Sequence, residues 1–263
     1  MSSARLLAFA FALAFAGLAH AQLTVRSGAG SDAAALTPTR DLFRADLGGG
    51  TVAGANGSFG GIRREINWDG VPSAFAAPNY LPANFFNVNS PRGVVLSTPG
   101  TGFQASGATT DPSFPPLYFG NIDPSYSSTF TIFTPQRLFT SIGSNTYDVV
   151  FYIPGTTTPA TVNGFGAVFT DVDQANTTSL RFFDHINTPI GSTSYAPVAS
   201  GGLSFVGAFT NDGHATISRV RVTLGNAILG AGVFDNNTST DLVVADDFIY
   251  GEPTDRIFAD GFD

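Results

Sequence analysis

The chain has 263 residues and a net charge of −8, from 12 basic and 20 acidic side chains. Repulsion from phosphate argues against nucleic acid as a partner and disfavours anionic lipid surfaces. There is no Cys, which removes disulfides and thiolate chemistry and leaves stability to burial, with 25 Phe to supply it. Every basic residue is Arg, and the only Glu are Glu65 and Glu252; the other acids are Asp. Asp suits turns, because its short carboxylate bonds nearby backbone N–H groups, and it also suits Ca²⁺, a hard cation that takes oxygen ligands.

The chain opens MSSARLLAFAFALAFAGLAHAQ. Arg5, the apolar run Leu6 to Leu18 and the small-x-small site Ala19-His20-Ala21 predict a secretory signal peptide over residues 1–21, too short to span a bilayer. No later segment reads as a transmembrane span. Removing the leader leaves 11 Arg against 20 acids, a net charge of −9. The mature chain is expected to be exported, with a single β-sandwich-like domain over 22–252, loop-rich over 22–91, and a C-terminal tail over 253–263.

In LTPTRDLFRADLGGG, Thr37 as N-cap, Pro38 at the first helical position and Gly48 as terminator predict one helix, with Leu42, Phe43 and Leu47 as its buried stripe. Ser27 to Ala35 and Gly48 to Gly61 are rich in Gly, Ala and Ser and read as loops. From Arg92 onward, short strands alternate with turn signals: GVVLST, GFQAS, STFTIF, YDVVFYI, GFGAVFTDV, SLRFFD, LSFVGAF, TISRVRVTL and DLVVADDFIY. In TISRVRVTL, Val220, Val222 and Leu224 alternate with Arg219, Arg221 and Thr223, the signature of a strand with one wet face. DLVVADDFIY is apolar on both faces and reads as a central strand. The tail EPTDRIFADGFD follows, where Pro253 and the acids around it argue against burial.

Several catalytic classes are excluded by what is missing. The mature chain has only His185 and His214, with no HExxH, so a Zn site of the usual type is not expected. GLSFV lacks the second Gly of a nucleophile elbow, and no Lys exists to complete a phosphate-binding loop. In REINWDGVP, Glu65 and Asp69 could act as paired glycosidase carboxylates or, as the stronger expectation, pair with Arg63 or Arg64 and close a turn. Trp68, the only Trp, could stack on a sugar but is expected to pack over the core. Asn87, Asn89 and Arg92 could hydrogen-bond sugar hydroxyls or satisfy loop carbonyls. Asp171 and Asp173 have the look of a metal loop at a strand end; Asp235 and Asp241 form a second acidic loop. Asp246 and Asp247 lie inside an apolar strand, where a carboxylate must be paired or metal-bound.

The run GFGAVFTDVDQANTTSLRFFDHINTPIG, then GGLSFVGAFT, ISRVRVTLGN and DLVVADDFIYGE, resembles the second half of galactose-binding-like jelly rolls of secreted bacterial proteins, over about Tyr147 to Glu252. That resemblance implies carbohydrate binding and a structural Ca²⁺ held partly by an acid of the last strand, which falls on Asp246 or Asp247. The half running from REINWDGVP to SPRGVVLSTPGTGF is similar to a group of uncharacterised exported bacterial proteins, which brings no activity with it. The ending IFADGFD looks like an IFxDGF tail found on unrelated secreted proteins of some Gram-negative bacteria, and implies sorting or processing.

The expected fold is all-β, an antiparallel β-sandwich of jelly-roll type with one short N-terminal helix. The expected function is that of an exported, non-catalytic extracellular or surface module, a Ca²⁺-stabilised carbohydrate-binding protein whose partner is a glycan or cell-envelope component. Two other readings stand beside it: a polysaccharide hydrolase using Glu65 and Asp69, and a purely structural surface or matrix component.

Overall fold

A computed structural model describes residues 22–53, 61–107 and 117–255. The expected leader and the IFADGFD ending lie outside the described residues. In chain order the elements are β1 Leu23–Gly30, α1 Ala33–Asp46, β2 Arg63–Ile66, α2 Phe85–Val88, β3 Val94–Ser97, β4 Gly102–Ala105 and α3 Tyr126–Thr129. They continue as β5 Phe139–Ile142, β6 Thr146–Phe151, β7 Ala160–Thr161, β8 Gly164–Val172, β9 Ser179–Phe183 and β10 Pro189–Tyr195. The chain finishes with β11 Ala199–Thr210, β12 Arg219–Thr223, β13 Val244–Gly251 and β14 Thr254–Asp255.

Two antiparallel sheets pack face to face, so the fold is the expected sandwich. The larger runs β1-β11-β8-β13-β5-β4, with β2 also on β13; the smaller runs β10-β9-β12-β6-β3. Alternation decides what each strand buries. In β6 and β12 the inward residues Tyr147, Val149, Phe151, Val220 and Val222 meet Phe165, Ala167, Phe169, Phe248 and Tyr250 of the larger sheet in one core. The outward residues of β12 are Arg219 and Arg221, as its sequence predicts. Every residue of β8 and β13 is buried, because the outer face of the larger sheet is covered as well.

The cover is α1, and it begins earlier than the sequence reading places it. Asp32 is the N-cap, its carboxylate accepting from Ala35 N at 2.9 Å, and Pro38 lies inside the helix instead of opening it. Leu36, Phe43 and Leu47 are buried, whereas Leu42 is exposed. Phe43 sits over the paired Gly166 and Gly207, 5.2 Å from the Phe205 ring. Burying such a ring contributes about 2–3 kcal/mol.

Three further expectations are corrected. Ser27 to Gly30 is strand, not loop, because its glycines let α1 lie directly on β1: a Cβ on Gly28 would meet Thr39 Oγ1 at 2.5 Å, and one on Gly30 would meet Ala35 Cβ at 2.8 Å. STFTIF forms no strand; its neighbourhood is α3 followed by extended chain, whose N–H groups bond side chains of the sheet beneath, Thr131 N to Thr170 Oγ1 and Phe133 N to Asp246 Oδ2. The start of the tail is not appended: Pro253 is buried and β14 pairs with β7.

Candidate metal centre and ligand recess

The end of β8 carries Asp171 and Asp173. Because β13 runs antiparallel to β8, with Val244 opposite Thr170, the chain entering β13 arrives beside them. The loop before it is folded back by Asn236, whose backbone N–H bonds Thr240 O and whose Oδ1 accepts from Thr238 N and Ser239 N. That turn brings Asp235 to the β8 end. Asp171, Asp173 and Asp235 each offer a carboxylate oxygen, and these three atoms lie within 4.8 Å of one another.

The supports around the cluster hold its outer members and give Asp173 no N–H donor among the described residues. Asp171 Oδ1 accepts from Gly201 N at 2.7 Å and Asp235 Oδ1 from Leu242 N at 2.6 Å. Asp241 holds the loop from behind, taking Asp173 N at 2.9 Å and the Thr177 hydroxyl. Among the described residues no group other than the protonated form of the facing Asp235 carboxyl can donate to Asp173, and both its oxygens are closed to solvent. A buried carboxylate without a donor is costly unless a cation or proton meets it. Burial, with repulsion from Asp173 and Asp241, pushes the Asp171 carboxyl up to about 6. Burial and the facing Asp173 push Asp235 up to about 7. An all-carboxylate donor set fits a hard cation. This group of three acids, Asp171 buried and the other two half-buried, could hold a metal ion.

Asp246 and Asp247 belong to a different set of contacts. They sit at a β-bulge, where the β13–β8 register shifts between Ala245 and Phe248. Asp246 Oδ2 accepts from Phe133 N at 2.7 Å, and the Thr134 hydroxyl donates towards Asp246 Oδ1 and Asp247 Oδ1 at 3.1 and 2.9 Å. Burial, and then the adjoining carboxyl, raises Asp246 well above the usual carboxylate range. Burial raises Asp247 to about 6. The pair anchors the 130–134 segment and is not among the three clustered acids.

No family model matches this chain, nor does any curated protein or solved structure. Its function has to be read from its own geometry.

Trp68 is a core residue. It is 1% exposed, held at φ 64°, stacked on Phe139 at 3.9 Å and met edge-on by Phe86 and Phe248. Its Nε1 donates to Asp246 O at 2.6 Å. One edge of the indole lines a recess of about 310 Å³, counting the part open to solvent, with Asn67, Gly70, Phe86, Ser90 and Arg92. Two expected ligand residues, Trp68 and Arg92, are thus brought together. The other two are not part of this lining. Asn87 is buried and staples α2 to the turn after β6, donating to Thr156 O and accepting from Gly155 N; Asn89 is exposed on the surface.

Glu65 has the structural role expected of it, with a wider set of partners. It bonds Arg63 at 2.9 Å and also Arg44 of α1 at 2.6 Å, while Arg64 goes to Glu252 instead. Asp69 accepts from Arg137 N at 3.1 Å, which fastens its turn to the start of β5. Neither carboxylate lines the recess. The residue that sequence reasoning left out of the metal set is Asp235. Its loop was visible as acidic, but only the antiparallel pairing of β8 and β13 joins it to Asp171 and Asp173.

Proposed function

We propose that this protein is an exported, non-catalytic β-sandwich module that is stabilised by Ca²⁺ and binds carbohydrate at the cell surface or outside it. One observation carries the metal half of the reading: the carboxylate of Asp173, closed to solvent and without an N–H donor among the described residues, faces two further acids. Three carboxylates, able to chelate through both oxygens, approach the six to eight ligands Ca²⁺ takes, and suit it better than the softer metals that prefer imidazole or thiolate. The carbohydrate half is supported by the leader-like start of the chain, the jelly-roll-like strand pattern and the small recess beside Trp68. The hydrolase reading has no geometric support, since Glu65 is tied to two arginines and Asp69 to the backbone of Arg137.

The deciding experiment is thermal unfolding of the mature protein in EDTA and in millimolar Ca²⁺, with Mg²⁺ and Zn²⁺ as controls. A ligand held only by the native state raises the midpoint by mass action. A rise specific to Ca²⁺ that disappears in Asp173→Asn is expected. Equal midpoints in EDTA and Ca²⁺ would remove the metal reading, and a folded protein that retains no glycan would remove the carbohydrate one.

A further inference from the structure

Arg92 differs from the other arginines around it. Arg64 next to it is fully buried and bonds Glu252 at 2.7 Å, while Arg44 and Arg63 share Glu65. Among the described residues no carboxylate pairs with Arg92, although it is largely withdrawn from solvent in a chain with an excess of acids. Its guanidinium lies over the Phe86 ring at 5.5 Å, and the Ser90 hydroxyl accepts from Nη1. Phe86 and Ser90 both line the recess, and so does Arg92 itself. One face of the cation is thus fixed by an aromatic ring and one corner by a hydroxyl, while the rest of the fork has no acceptor among the described residues.

We propose that this recess seats the carboxylate of an acidic sugar, a uronic acid unit of a glycan, on the Arg92 guanidinium. The proposal rests on the carbohydrate reading above and sharpens it to one class of sugar. A planar fork with fixed orientation matches a carboxylate through two parallel N–H···O bonds. Around the carboxylate seat, Asn67 and Ser90 offer hydrogen-bond groups to the adjoining ring, and Gly70 leaves backbone within reach. The enclosed part of the recess, about 80 Å³, takes a carboxylate group and leaves the sugar ring at its mouth. Burial holds the Arg92 pKa below its ordinary value, opposed by Tyr250 and reinforced by the Arg64 cation.

Trp68 is the only indole and lines the site, so its emission reports occupancy. The experiment titrates the mature protein with digalacturonate, with neutral galactobiose and with inorganic sulfate, reading Trp68 fluorescence and heat of binding together. The expected result is saturable binding of digalacturonate, at least tenfold weaker binding of galactobiose and sulfate, a loss of tenfold or more in Arg92→Gln and a smaller loss in Arg92→Lys. Unchanged emission and melting of the free variants establishes that they fold. Galactobiose binding as tightly as digalacturonate, or Arg92→Gln binding as well as the parent, overturns the acidic-sugar assignment while leaving carbohydrate binding intact. Sulfate binding as tightly as digalacturonate overturns it too, leaving an anion pocket without sugar selectivity. Binding of none of the three overturns it, and a parallel screen of neutral and acidic polysaccharides then shows separately whether the carbohydrate reading survives at another surface.

Discussion

With no cation bound, the Asp171–Asp173–Asp235 cluster should make the protein less stable as pH rises, opposite to the usual behaviour of salt-bridged acids. The folded-state pKa values of Asp171 and Asp235 are raised from 3.8 to about 6 and about 7. Between those limits the native state holds protons that the unfolded chain has released, so stability is full below about pH 4 and falls as pH rises through about 7. For Asp171 alone the change is worth about 3 kcal/mol. Because the carboxyls interact, the cluster is taken as roughly 4 kcal/mol, the value for Asp235 alone, rather than as a sum. For a domain of this size that is a fall of roughly 8–16 °C in midpoint. The assay is melting at pH 4.5, 6 and 7.5 in EDTA, for wild type and for Asp235→Asn, whose amide oxygen can still accept from Leu242 N. The difference between the two proteins isolates the cluster from every other acid. Ca²⁺ displaces the protons, so its stabilising effect should be small at pH 4.5 and large at pH 7.5. A wild type and a variant that run parallel across this range in EDTA would refute the reasoning, as would Ca²⁺ acting equally at both ends.

Three further outcomes follow from the packing. Phe43→Ala should cost about 3–5 kcal/mol in urea unfolding, because it removes the ring that joins α1 to the sheet. Gly207→Ala should cost about 1–3 kcal/mol, since its Cβ would stand 2.8 Å from the Phe43 ring and 3.0 Å from Gly166 Cα; a neutral result would mean that the helix can lift without penalty. Glu65→Gln should lower the midpoint by a few degrees through loss of its bonds to Arg44 and Arg63, while any hydrolysis of polysaccharide detected in the parent stays unchanged.

The sheets were legible where strand chemistry and burial agree. β8, β11, β12 and β13 carry apolar runs or strict alternation bounded by turn residues, and each forms where its pattern indicates. β1 was hidden because Gly28 and Gly30 read as loop, although their lack of a side chain is what admits the helix. STFTIF was misleading for the converse reason: its Thr and Phe suit a strand, but its N–H groups are satisfied by Thr170 and Asp246 side chains instead of a ladder. The cap at Asp32 was overlooked because Pro38 imitates a helix start so well. At the sites, the core position of Trp68 and the loop acids were readable, since burial tendency and Asp-rich turns are local properties. The company these residues keep is not local. Asp235 reaches Asp173, and Trp68 reaches Asp246, only through the order of the strands.

That order also fixes when the molecule can exist. β13 is the last long strand among the described residues, yet it stands inside the larger sheet, with β8 on one side and β2 and β5 on the other. At the sheet's edge, Thr24 beside β11 bonds Asn211, 187 positions away. Contacts this remote form late, after the entropy of closing long loops has been overcome. A partial chain ending before Val244 lacks the strand that would join its halves, however well its early segments are suited to pairing. Among the described residues, completion of the larger sheet therefore waits on Val244–Gly251, by topology alone.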